Sequence, residues 1–98
     1  MAFDDPPNSA SLICKHVLNG ELPILFVSHD EDDGGWQFLC NVNEHEVNDI
    51  AIVALHRATD LDPTVSEVSD LPLGFIATRA GRDQSWYVQL NPDSVKSN

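Results

Sequence analysis

The chain has 98 residues, 42% of them hydrophobic and 21% charged, which fits one globular domain of modest stability. Sixteen acids against five Lys and Arg give a formal net charge of −11, a field that repels nucleic acid and anionic lipid and attracts basic partners. The excess is lopsided: residues 1–49 carry ten acids and one Lys, a net of −9, whereas residues 50–98 carry six acids and four bases, a net of −2. No apolar run approaches the ~20 residues of a membrane span. The opening MAFDDPPNSA lacks the basic and apolar regions of a secretory leader. A cytoplasmic protein is therefore expected. Cys14 and Cys40 have no CxxC spacing and read as reduced, buried thiols.

Residues 1–9 are too polar and Pro-rich to bury anything, and 91–98 read the same way, so both are expected to be disordered tails around one domain at 10–90. SLICKHV (11–17) reads as a first strand, and Asn19-Gly20 as a hairpin turn leading to a second strand in PILFVSH (23–29). Ile24 to Val27 is apolar on both faces, which predicts a central strand covered on both sides. The loop HDEDDGGW follows, then a third strand, WQFLCNV, with Trp36, Phe38 and Cys40 on one face and Gln37 and Asn41 on the other. NEHEVND is polar, with room for one helical turn, and IAIVAL (50–55) is a short β-rich run. Asp62-Pro63 is a helix start, with Asp as cap and Pro in the first helical position. It predicts a short helix over 63–70 with Val65, Val68 and Leu71 inward. GFIATRA and SWYVQL form a final hairpin around GRDQ, with Trp86, Val88 and Leu90 on one face. The expected fold is α+β: a small, bent, mainly antiparallel sheet of five to six strands with one or two short helices.

Four consecutive acids, Asp30, Glu31, Asp32 and Asp33, run into Gly34-Gly35-Trp36. Contiguous acids do not meet the spaced-ligand pattern of a calcium loop. Neighbouring exposed carboxylates also lack the enclosed pocket that splits an acid–base pair. What remains is a solvated turn or a recognition surface, with the acids facing a basic partner and Trp36 as its apolar anchor. Glu44, Glu46 and Asp49 lie nearby in sequence. Cys14-x-His16 begins a zinc-like pattern, but no second CxxC or HxxxH pair follows, so no metal and no cofactor are expected. His29, His45 and His56 are scattered. The glycines sit in turns, not in a phosphate loop, and no nucleophile–base order stands out, so no catalytic residues are expected. Arg79 and Arg82 flank the last turn and read as partners for local acids.

The order of these motifs resembles a family of small bacterial domains, immunity protein family 33 of polymorphic toxin systems. The likeness covers residues 11–90, and its most specific pieces are Gly35-Trp36, Leu61-Asp62-Pro63 and Leu71-Pro72-Leu73-Gly74. The family's acid-Ser-Gly-Trp loop stands here as Asp33-Gly34-Gly35-Trp36, with Gly in place of Ser. The resemblance implies a non-enzymatic binding protein that neutralises a toxin by blocking its surface. The other expected reading is a small structural or regulatory module that self-associates through an edge strand; for the chain itself a monomer or weak homodimer is expected.

Overall fold

In the computed structural model, residues 8–32, 34–40 and 50–91 are described. Short apolar runs with alternating burial form six strands: β1 (Ala10–Cys14), β2 (Phe26–His29), β3 (Trp36–Leu39), β4 (Ile50–Ala54), β5 (Phe75–Thr78) and β6 (Tyr87–Leu90). They make one mixed sheet in the order β4-β1-β3-β2-β5-β6. Four of its five pairings are antiparallel, and only β1 and β3 run parallel, so the α+β reading with a mainly antiparallel sheet holds.

The first hairpin does not form. β3 lies between β1 and β2, so Asn19-Gly20 does not join paired strands. Instead the chain leaves β1 into one helical turn, α1 (Lys15–Leu18). The physical reason is the spacing of Cys14 and Val17, both buried three residues apart, which a strand would send to opposite faces. Gly20, at φ +79, closes the turn and donates its N–H to the Val17 carbonyl.

A second helix, α2 (Leu55–Leu61), was not expected. Its Leu55 and Ala58 are buried at helical spacing, a weak signal beside the β-branched run before it. The Asp62-Pro63 start does open a helix, but of 3-10 type and over Pro63–Val68. Val65 and Val68 face inward, with Leu71 beyond, a three-residue spacing that suits three residues per turn. The Asp62 carboxylate accepts the Thr64 N–H, which makes it the cap. Among the described residues there are thus three short helical segments where one or two were expected.

Register assigns the faces. Ser11 and Ile13 stand beside Trp36 and Phe38, which stand beside His29 and Val27, and these beside Phe75 and Ala77. The core joins this face to Val17 of α1, to Leu55 and Ala58 of α2, and to Val65, Val68 and Leu71. β2 is central, as expected: Val27 on its core face is buried, and on its second face Ser28 is buried and Phe26 half-buried. The other face also carries half-buried Leu12, Gln37 and Leu39, and Ile52, which is 74% exposed.

Arg79 fastens the helices to the sheet. Its guanidinium pairs with Asp62 at 2.8 Å, both side chains being buried, and Arg82 approaches the same carboxylate at 3.7 Å. The expectation that these arginines balance local acids is met. β5 and β6 form the expected terminal hairpin; there Val88 and Leu90 are exposed, while Trp86 is half-buried against Arg79.

Among the described residues no helix is long and apolar enough to cross a membrane. The expected tails, apart from residues 8, 9 and 91, fall outside the described residues, as do Asp33, Asn41, His45 and the polar stretch holding Glu44, Glu46 and Asp49.

Candidate functional site

The acidic loop joins β2 to β3, whose register pairs His29 with Trp36. It closes on itself. The Asp30 N–H donates to the Gly35 carbonyl at 2.8 Å, and the Gly34 N–H to the Asp30 carbonyl at 2.9 Å. Gly34 takes φ +71, a conformation that disfavours any side chain. This is the physical use of a glycine here.

The four acids do not act alike. Asp30 is half-buried and its carboxylate is engaged on both oxygens: Ser28 Oγ donates at 2.8 Å and Gln37 Nε2 at 2.7 Å. It braces the turn. Glu31 and Asp32 project into solvent, and Asp33 lies outside the described residues.

Trp36 is not a surface anchor in this conformation. It is 4% exposed and belongs to the core. Its ring stacks on His29 at 4.0 Å and 13°, and lies near-parallel to Phe38 at 6.2 Å. The reason is register: Trp36 occupies the helix-facing side of β3, where alternation with Phe38 sends it inward. His29 is held in turn at Nδ1, 2.6 Å from the Leu71 carbonyl, so Nδ1 carries the proton.

Beside the turn lies a shallow groove of about 160 Å³, bounded by Ala10, Leu12, Asp30, Gly35, Trp36 and Ile52. Exposed Ile52 sits on β4, an edge strand of the sheet. An apolar groove, an edge strand and the turn with its two solvent-facing acids thus lie at one corner.

A second constellation was missed. Cys14 ends β1, His16 lies in α1 and Cys40 follows β3. Their ligand atoms all fall within 4.8 Å of one another, with Cys40 Sγ 4.0 Å from His16 Nδ1. Neither cysteine is in a disulfide, both are buried, and His16 is half-buried. The expectation of no metal rested on the missing second ligand pair in sequence; the fold supplies Cys40 from 24 residues away. The only available signal was Cys14-x-His16 itself, since pairing of β1 with β3 was not legible.

Burial pushes the Cys14 thiol up, and the neighbouring Cys40 adds to this; the backbone N–H groups of Val17 and Cys40 oppose it. The folded protein therefore holds this proton to higher pH than the unfolded chain does. Above the ordinary thiol range the unfolded state has released it, so the contribution to stability is complete below that range and is lost as pH rises through the folded value. Urea midpoints measured in chelator between about pH 7 and about pH 10 should fall, and the decline should be shallower in Cys14→Ala. Equal slopes in both proteins would count against this assignment.

Compared with known proteins, the chain matches no family model, no curated protein and no solved structure.

Proposed function

We propose that the protein is a non-enzymatic, immunity-type binding protein that blocks the surface of a basic partner, a bacterial toxin on this reading, in the cytoplasm. The observation that carries the reading is the corner just described. Exposed Glu31 and Asp32 flank an apolar groove that ends on Ile52 of an edge strand. The net charge of −11, concentrated in residues 1–49, supports a basic partner. The resemblance of Gly35-Trp36, Leu61-Asp62-Pro63 and Leu71-Pro72-Leu73-Gly74 to the immunity family supports the same class of function. In this mechanism the acids steer encounter, and the groove and strand edge hold the partner in place.

Because Asp30 braces the turn, the informative change is at its two solvent-facing neighbours. A Glu31→Gln, Asp32→Asn variant should fold normally and associate several-fold more slowly at low salt. The difference should shrink as salt screens the charges. The measurement is stopped-flow association with the product of the adjoining reading frame, made in an inactive form. An association rate equal to wild type at both ionic strengths would leave the turn as a solvated loop.

A self-associating module is the second reading, and one observation favours it. β6 is the other sheet edge and exposes Tyr87, Val88 and Leu90 together. Sedimentation equilibrium distinguishes the two: on this reading a concentration-dependent dimer forms and Val88→Lys abolishes it.

A further inference from the structure

We propose that Cys14, His16 and Cys40 form a zinc(II) site, with two thiolates and one imidazole as its ligands among the described residues and a fourth position open to a water or a further ligand. The donor set is the first argument. Two Cys sulfurs and one His nitrogen are ligands that zinc selects, and a Cys₂His set with one open position is a known coordination type.

Geometry is the second argument. Tetrahedral zinc with bonds of about 2.3 Å to sulfur and about 2.0 Å to nitrogen spaces its ligand atoms roughly 3.5–3.8 Å apart. The three atoms here lie within 4.8 Å of one another, and the Cys40–His16 pair is at 4.0 Å. Side-chain rotation of a few tenths of an ångström to about 1 Å closes the set, without moving any strand.

The third argument is how the backbone holds the ligands. β1 and β3 are the parallel pair, so their carboxyl ends, and with them Cys14 and Cys40, arrive at the same side of the sheet. α1 follows Cys14 at once and places His16 two residues on. The His16 carbonyl accepts the N–H groups of both Glu21 and Leu22, which pins the turn. The Leu25 N–H donates to the Leu39 carbonyl, which pins the residue before Cys40. A site built on fixed backbone loses little entropy on binding.

Charge is the fourth argument. Binding replaces two thiol protons with one divalent ion, so Zn²⁺, two thiolates and a neutral imidazole sum to zero. A neutral cluster suits a place where both cysteines are buried. His16, half-buried, is the side from which the ion and its water reach the site.

The test uses the full chain, reduced, stripped with chelator and kept free of oxygen. Cobalt(II) chloride is the probe, followed by zinc chloride. One cobalt per chain should bind with a thiolate-to-cobalt charge-transfer band and intense tetrahedral visible bands. Zinc should then displace it, with release of up to two protons per ion and a rise in thermal midpoint. Carboxylate sites elsewhere on this acidic chain would give no thiolate band. Cys40→Ser should abolish the band, and His16→Gln should weaken binding at least about tenfold. His16 is the safer change, because it is half-buried, and circular dichroism checks that each variant is folded. Two results overturn the proposal. One is a folded, reduced wild-type protein that takes up no stoichiometric cobalt or zinc. The other is binding that is undiminished in folded His16→Gln and Cys40→Ser.

Discussion

Replacing Arg79 with Ala is expected to lower the unfolding free energy by about 3–5 kcal/mol, the range for breaking a buried pair from one side. The guanidinium is buried, and all five of its N–H groups have acceptors. Nε donates to the Ile24 carbonyl at 3.0 Å, and one terminal nitrogen donates to Ile24 O and Asp62 Oδ2, both at 2.8 Å. The other donates to Thr64 Oγ1 at 2.9 Å and the Arg82 carbonyl at 3.0 Å. Its carbon also lies 4.1 Å over the Trp86 ring. Removing the side chain takes from the buried Asp62 carboxylate its close ion partner, leaving it Thr64 and the more distant, exposed Arg82, and strands the Ile24 carbonyl. Lys cannot rescue the site, because a single ammonium does not reproduce the planar fork.

Asp62→Ala should cost a similar amount, since Asp62 also caps the 3-10 helix. The double change Arg79→Met, Asp62→Leu should cost clearly less than the sum of the two single changes. It removes both charges and leaves neither uncompensated. Urea unfolding of the four proteins gives the cycle. A loss below about 1 kcal/mol in Arg79→Ala would mean that water reaches the pair and screens it, as at a surface bridge.

Trp36→Ala is the second change with a large expected effect, about 3–5 kcal/mol, from lost burial plus the cavity left between the sheet and the helices. Trp36 sits between β1 and β2 on the core side, against His29 and Phe38. His29 also bonds the Leu71 carbonyl, so loss of the indole loosens the ring that ties β2 to the segment after the 3-10 helix. Trp36→Phe should lose less, because an aromatic stack on His29 survives. The experiment also separates two roles for the residue. A core Trp changes the denaturant midpoint of the isolated protein, whereas a partner anchor changes dissociation of a complex and leaves that midpoint in place. An unchanged midpoint in Trp36→Ala would return the ring to the surface.

Three residues of the motif pieces that carry the resemblance, Trp36, Asp62 and Gly74, are framework, whereas Pro72 and Leu73 are exposed. Asp62 caps a helix and holds Arg79; the Gly74 N–H donates to the His29 carbonyl; Trp36 fills the core. Such residues report how the chain folds, so the proposed binding role rests chiefly on the exposed acids and the groove beside them.

What the sequence determined by itself is what depends on neighbours along the chain. Alternation sent Trp36 and Phe38 to one side of a strand, Asp62-Pro63 began a helical segment, Gly34 gave the acidic turn its left-handed residue, and the last two runs formed a hairpin. Each is set by steric or hydrogen-bonding preferences acting over a few residues. Strand order was decided only in three dimensions. Insertion of β3 between β1 and β2 depends on which apolar faces bury together, and no local preference encodes that choice. Everything the insertion brings about was therefore hidden. It kept β1 and β2 from pairing as the expected first hairpin, and it carried Cys40 to Cys14 and His16. The division among the acids was hidden too, because Asp30 is held by Ser28, two residues before it, together with Gln37 from the paired strand.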